Sequence, residues 1–122
     1  MSTPTASTAP AIPALSALET VSAQVAAFNA HDLEAFVATY AEDAVVVGVA
    51  AEPIVGREAL RAFYGERLTH PDLRCEIDAT TLFGDRWVVA RESVIRDGVA
   101  TETIATFDVR DGVIRRASML KG

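Results

Sequence analysis

The stretch from His31 to Leu68 constrains the fold of this chain more than any other, because it orders two helices around one strand. Its first part opens on a good N-cap and then places apolar side chains on one helical face, which predicts a helix from Asp32 to Tyr40. The Val-rich run from Ala44 to Val49 predicts a short buried strand. After a loop, apolar residues recur at helical spacing and predict a helix from Arg57 to Leu68.

The flanking sequence adds one helix before this stretch and a set of strands after it. Ser16 and Glu19 have the spacing of a capping box, and the apolar positions that follow predict a helix from Ser16 to Asn29. After Leu68 the apolar pattern changes to period two, and Asp97-Gly98 is a strong signal for a two-residue hairpin. The strands predicted there are Leu73–Phe83, Trp87–Arg96, Val99–Val109 and Val113–Leu120. They form an antiparallel meander, which the early strand joins.

Length and charge limit the kinds of partner. The chain has 122 residues, enough for one domain with a core, and a net charge of −6. An acidic chain without a basic cluster is a poor partner for nucleic acid or an anionic membrane surface, and no apolar run approaches the ~20 residues of a membrane helix. Residues 1–13, rich in Ser, Thr, Ala and Pro and unlike a signal peptide, are predicted to be a disordered tail. We therefore expect a cytoplasmic protein with a single domain over residues 14–122.

The cysteine and histidine content gives no sign of a cofactor. Cys75 is the only cysteine, so no intrachain disulfide can form, and we expect a small buried core thiol rather than a nucleophile. The two histidines, His31 and His70, are far apart in the sequence. We predict neither a metal site nor a cofactor.

Two segments carry a family resemblance: VGREALRAFY before the meander and TFDVRDGVIRRASM near its end. Together with the order of elements from Ser16 to Leu120, they resemble the nuclear transport factor two-like superfamily, which includes ketosteroid isomerases and SnoaL-like polyketide cyclases. The resemblance implies an α+β fold, the cystatin-like roll, in which a cone-shaped, curved antiparallel sheet packs on three N-terminal helices. It also implies that an apolar small molecule binds inside the cone.

The resemblance does not extend to the residues that ketosteroid isomerases use. Those enzymes combine an Asp base with a Tyr and a protonated Asp as oxyanion donors. In the resemblance, the position of the base is Gly48, that of the tyrosine is Gln24, and that of the acidic donor is Thr103. All three are changed, so the steroid isomerase mechanism is not expected. The Asp–Arg–Asp set of limonene epoxide hydrolases has no match either.

Glu92 is the candidate that the hairpin register brings to the pocket. If Asp97-Gly98 forms a two-residue turn, Glu92 lies opposite Thr103, which the resemblance places inside the cone. Extended to the last strand, the same register brings Arg115 and Met119 to the inner face. A lone carboxylate among apolar neighbours has a raised pKa, which suits a general base or acid.

Two other interpretations of Glu92 stay open. The carboxylate could bond to Gln24, Tyr64 or Arg115 and serve only to fix the fold. Alternatively, a slip of one residue in the hairpin would put it on the outer face as a solvated charge.

The leading hypothesis is a SnoaL-like or ketosteroid isomerase-like protein: an isomerase, cyclase or dehydratase that moves a proton by means of Glu92. The candidate substrate-binding residues are Gln24, Phe28, Tyr64, Thr101, Thr103 and Met119. The alternative is a non-catalytic module for ligand binding or dimerisation. We expect a homodimer through the outer sheet face, which should carry Ile95, Ile104, Ile114 and Leu120.

Overall fold

The structure is a computed structural model that describes residues 15–122. Three helices pack on one side of a six-stranded sheet. The predicted disordered tail over residues 1–13 lies outside the described residues. The helices are α1 (Ala17–Asn29), α2 (Leu33–Ala38) and α3 (Gly56–Arg67), and the strands are β1 (Tyr40–Val47), β2 (Ile54–Val55), β3 (Arg74–Phe83), β4 (Trp87–Arg96), β5 (Val99–Arg110) and β6 (Val113–Lys121).

Both N-terminal helices begin at the caps that the sequence predicts. The Ser16 hydroxyl accepts a hydrogen bond from the Glu19 amide at 3.1 Å, and the Glu19 carboxylate accepts one from the Ser16 amide at 2.9 Å. The Asp32 carboxylate accepts from the Ala35 amide at 3.1 Å. These bonds satisfy N–H groups that the first turn of a helix leaves free, and they confirm the capping box and the second N-cap.

The end of the second helix differs from the prediction. The helix was expected to continue to Tyr40, but α2 ends at Ala38, and Tyr40 is the first residue of β1. The cause is tertiary, because the Ile114 amide donates to the Thr39 carbonyl at 2.8 Å and Tyr40 pairs with Ile114. Sheet pairing therefore overrides the apolar spacing that favoured a longer helix.

The strand order is β2-β1-β6-β5-β4-β3. Strands β3 to β6 form the predicted antiparallel meander. Together, the three helices and the six-stranded sheet confirm the predicted α+β fold. Strand β1 runs parallel to β6, a direction that the sequence pattern did not specify. The short β2 strand, which was not predicted, pairs with β1 just before α3 begins.

The β4–β5 hairpin has the predicted register. Asp97 and Gly98 have φ values of 53° and 78°, as a two-residue turn that follows the twist of the sheet requires. Arg96 lies opposite Val99, and Glu92 lies opposite Thr103. Glu92 therefore points to the inner face, and the alternative in which a slipped register exposes it is wrong.

The register of the last hairpin shifts by one residue. Asp108 lies opposite Arg116, but Val109 lies opposite Ile114, so Arg115 has no partner on β5. Arg115 is therefore exposed and Ile114 is fully buried, which corrects two predictions: Arg115 does not reach the inner face, and Ile114 does not belong to the outer face. A bulge of this kind inverts the alternation of faces beyond it.

The helices meet the sheet through an aromatic cluster. The ring of Phe36 lies 5.4 Å from that of Tyr40, 4.5 Å from that of Tyr64 and 5.9 Å from that of Phe28, measured between centroids. Beside this cluster the inner sheet face is apolar, with Val88, Ala90, Ala105, Phe107 and Ala117 all buried. Within residues 15–122, none of the helices has the length and apolar character needed to cross a membrane.

Candidate functional site

A cavity of about 240 Å³ lies between the helices and the inner face of the sheet. Its walls contain all the side chains that the sequence predicted for the site, whose roles in binding or catalysis stay predictions. The lining residues are Gln24, Phe28, Phe36, Gly48, Val49, Phe63, Tyr64, Arg67, Leu73, Cys75, Glu92, Val94, Arg96, Thr101, Thr103, Met119 and Lys121.

Glu92 is the most unusual of these side chains, because it is a carboxylate that is only 4% exposed. Its Oε1 atom accepts a hydrogen bond from the Cys75 thiol at 3.4 Å. Its Oε2 atom is buried and has no hydrogen-bond partner among residues 15–122. A buried carboxylate oxygen without a donor is costly, so a ligand group that donated to Oε2 would gain strongly from doing so.

Burial shifts the pKa of both members of the Glu92–Cys75 pair. Loss of water raises the pKa of Glu92 above its usual value, and the hydrogen bond from Cys75 opposes part of that rise. Burial and the neighbouring Glu92 carboxylate also raise the pKa of the Cys75 thiol. Cys75 therefore stays a thiol at neutral pH and acts as a hydrogen-bond donor, not as a nucleophile.

The partner of Glu92 was not among those considered from the sequence. Gln24 and Tyr64 line the same cavity without bonding to Glu92, and Arg115 lies outside it. Cys75 reaches Glu92 because it pairs with Val94, which is two residues beyond Glu92 and therefore on the same face of the neighbouring strand. The period-two pattern that puts Cys75 on the apolar face of β3 was the signal that could have identified it.

Two tyrosines complete a group of polar side chains around Glu92. The Gln24 amide donates to the Tyr40 hydroxyl at 3.0 Å, and Tyr40 is fully buried. Burial raises the pKa of Tyr64 to about 12, so its phenol is protonated near neutral pH and can donate a hydrogen bond. The charge of Glu92 contributes to the raised pKa of both tyrosines. We call Gln24, Tyr40, Tyr64, Cys75 and Glu92 the polar cluster.

Gly48 lies where the resemblance places the base of ketosteroid isomerases. Its φ is 90°, and a Cβ atom there would lie 2.1 Å from the Met119 carbonyl oxygen. No side chain fits this backbone without moving β6, so the position cannot hold a carboxylate in this structure. Thr103, at the position of the acidic donor, is buried and opposite Glu92.

Neither histidine lines the cavity. His31 is half-buried, and its Nε2 atom lies 2.8 Å from the Leu73 carbonyl oxygen, so it ties the α1–α2 connection to the start of β3. His70 lies outside the rim, with its Nε2 atom 3.0 Å from Nη2 of Arg96. Across residues 15–122, no group of three or more His, Cys, Asp or Glu side chains is arranged to hold a metal ion.

A sequence profile of the SnoaL-like domain matches residues 21–117, which is more than half of the chain. A comparison with curated proteins gave no match. Among solved structures, an uncharacterized cystatin fold protein from Novosphingobium aromaticivorans is 25% identical, with a TM-score of 0.76; the match covers 87% of this chain and 98% of that protein.

Some of the similar structures have enzyme names. SalBIII, an epoxide hydrolase/cyclase-like enzyme with a role in pyran ring formation in salinomycin, is 17% identical with a TM-score of 0.76, over 86% of this chain and 89% of its own. A proposed ketosteroid isomerase from Kribbella flavida is 19% identical with a TM-score of 0.73, and the match covers 84% of this chain and 75% of that protein. The matching structures also include NTF2-like proteins. At these identities, the likeness to the two enzymes establishes the fold alone.

Proposed function

The chain belongs to the SnoaL-like domain family, and we propose that it is an enzyme that moves a proton of a small apolar molecule by means of Glu92. The reaction is an isomerisation, cyclisation or dehydration. Each of these begins or ends with proton transfer at a carbon or oxygen atom, which a positioned carboxylate can perform.

The observation that carries this proposal is the free oxygen of Glu92. Oε2 is buried in a largely apolar cavity and has no partner among residues 15–122. Burial raises the pKa of the carboxylate, which makes it a stronger base than an exposed glutamate. A residue that only fixed the fold would be expected to have both of its oxygens satisfied.

Neutral donors near Glu92 support the same proposal. The Tyr64 phenol and the Thr101 and Thr103 hydroxyls line the cavity and could donate to an oxygen atom on which negative charge develops. Two threonines and one tyrosine stabilise an enolate less than a tyrosine with a protonated acid does. We therefore expect slower turnover than in an enzyme with that pair.

The test is exchange of hydrogen for deuterium in a panel of small apolar ketones, with and without a carboxylate group. A base that removes a proton next to the carbonyl returns a deuteron from D₂O, so mass spectrometry detects the reaction before any product is known. We expect the chain to catalyse exchange in at least one ketone. Absence of exchange above the buffer rate across the panel would contradict a proton-transfer function.

Val94→Phe provides a control for the location of the reaction, because Val94 lines the cavity and the larger ring fills part of it. Ile95→Phe is its matched variant, since the neighbouring Ile95 is also half-buried but faces away from the cavity. Exchange should fall in the first variant and persist in the second. Equal activity in both would place the reaction elsewhere.

A separate observation favours the alternative function, a binding or dimerisation module. A second groove of about 330 Å³ crosses the outer sheet face and contains Ile104 and Leu120, which are 48% and 68% exposed. An ion pair between Arg91 and Glu102 lies beside them. A mixed apolar and polar face of this kind suits association, and we propose that two copies of the chain pair through it.

Leu120→Glu is expected to separate such a dimer, because it places a charge at the most exposed apolar residue of the groove. Sedimentation velocity at micromolar concentration should show a dimer for the wild type and a monomer for the variant. Val55→Glu, at a similarly exposed valine on β2, should leave the dimer intact. A monomeric wild type at high micromolar concentration would contradict the proposal.

A further inference from the structure

The rim of the cavity is cationic, although the chain as a whole has a net charge of −6. Arg67, Arg96 and Lys121 line the cavity, and Glu92 is the one Asp or Glu among the lining residues in the described part of the chain. The three cations come from three different elements. Each is the last residue of its element: α3, β4 and β6, respectively.

The strand geometry separates these cations from Glu92. Arg96 is four residues beyond Glu92 on the same strand, a Cα separation of about 13 Å at ~3.3 Å per residue. Lys121 lies opposite Thr103, which lies opposite Glu92, so two strand spacings of ~4.8 Å place it about 10 Å away. Arg96 and Lys121 are exposed and Arg67 is half-exposed, whereas Glu92 is buried. The cavity therefore has an acidic interior and a cationic rim.

The two arginines are held in place without being neutralised. The Arg67 guanidinium stacks on the Phe63 ring at 4.5 Å. Arg96 donates from Nη2 to His70 Nε2 at 3.0 Å, and the nearby Glu66 carboxylate lies 3.4 Å from that nitrogen without forming an ion pair with Arg96. Such contacts fix the direction of a guanidinium and keep its charge available to a ligand.

The ion pairs of the described residues leave the three rim cations without a carboxylate partner. Of the other arginines, Arg61, Arg74, Arg86, Arg91 and Arg110 each lie within ion-pair distance of an acid, whereas Arg57, Arg115 and Arg116 do not. Residues 1–14 contain no Asp or Glu that could reach the rim. Three unneutralised cations around one cavity of an acidic protein favour an anionic ligand.

We propose that the ligand is a small apolar carboxylic acid, whose carboxylate lies at the cationic rim beside Arg67 and Arg96 while its apolar body extends toward the polar cluster. The guanidinium groups suit a planar carboxylate, which they can bind with two parallel hydrogen bonds. The volume of about 240 Å³ is below the ~300 Å³ at which pockets for drug-sized ligands begin, which favours a small ligand. This inference rests on the proposed function only in that both place the ligand in the same cavity.

Octanoate and octanamide test the proposal, because they have the same length and differ in charge. Isothermal titration at low salt should give at least about fivefold tighter binding for octanoate, as expected for charge-assisted hydrogen bonds at a partly exposed rim. The preference should weaken as salt is added. It should be lost in the double variant Arg67→Gln/Arg96→Gln.

The matched control is Arg115→Gln/Arg116→Gln, which removes two exposed arginines of β6 that do not line the cavity. It should keep the preference, which excludes a general effect of net charge. Equal binding of acid and amide, equal loss in both double variants, or no binding of octanoate at millimolar concentration would overturn the proposal. Tighter binding of octyl phosphate than of octanoate would overturn the assignment to carboxylates. Because binding is measured without turnover, the result is independent of whether deuterium exchange occurs.

Discussion

Replacement of Glu92 by glutamine is expected to lower catalysed deuterium exchange by roughly a hundredfold to ten-thousandfold, the usual contribution of one positioned acid or base. Glutamine has nearly the shape of glutamate, and its amide can accept the hydrogen bond from the Cys75 thiol. It cannot accept a proton at neutral pH. Ligand binding should therefore persist while the chemical step is lost.

The pH profile should identify Glu92 as a base. Burial raises its pKa, so the deprotonated fraction of the wild type, and with it kcat/KM, should rise with pH through that raised value and then level off. A general acid would give the opposite slope. The residual exchange of Glu92→Gln should lack this rise.

The same shift has a consequence for stability. Because the folded pKa is raised, the native state holds the Glu92 proton more tightly than the unfolded chain does. Protonation of Glu92 therefore adds to the free energy of unfolding. The added stability is fully present below the pKa of a glutamate in the unfolded chain, about 4.3, and is lost as pH rises through the pKa of Glu92 in the folded state. Glu92→Gln should therefore be at least as stable as the wild type at pH 7, as measured by urea unfolding.

Glu102→Gln is the matched control, since Glu102 is exposed on the outer face of the adjacent strand. It should keep full exchange activity. Cys75→Ala removes the thiol donor to Oε1, so it should raise the pKa of Glu92 further and move the kcat/KM profile to higher pH. Normal exchange by Glu92→Gln would show that the carboxylate is not the base.

Local turn chemistry explains why part of the site was predictable. Asp97-Gly98 adopts the positive φ values that a two-residue hairpin needs, and that turn alone fixes Glu92 opposite Thr103. From this one register, the alternation of the strands placed Thr101 on the inner face as well. The pairing depends only on neighbours along the chain and across one tight turn, whereas the choice of the inner face came from the family resemblance that places Thr103 inside the cone.

The predictions that were wrong or incomplete concern features that depend on contacts between distant parts of the chain. Nothing near Arg115 in the sequence marks the bulge that leaves it without a partner. Tyr40 has helical spacing, and only its pairing with β6 makes it a strand residue. The hydrogen bond between Cys75 and Glu92 depends on the register of β3 against β4. The three-residue loop that connects these strands does not specify that register in the sequence.

Gly48→Ala is expected to destabilise the fold by roughly 2–5 kcal/mol, the second large effect. One part is the positive φ of 90°, which costs a residue with a Cβ atom about 1–2 kcal/mol. The larger part is the contact of 2.1 Å with the Met119 carbonyl oxygen, because that atom belongs to the backbone of β6 and cannot rotate away. Urea unfolding monitored by circular dichroism measures the loss.

Gly84→Ala separates these two costs. Gly84 also has a positive φ, of 62°, but a Cβ atom there meets nothing within 4 Å. It should therefore lose only the backbone part, about 1–2 kcal/mol. If the two variants were equally stable, the close approach of β6 to Gly48 would not exist in solution. If Gly48→Ala unfolds the chain while Gly84→Ala does not, the close approach of β6 excludes a side chain at the isomerase base position in this protein. Glu92, on the opposite side of β5, would then be the one carboxylate that lines the cavity in the described part of the chain.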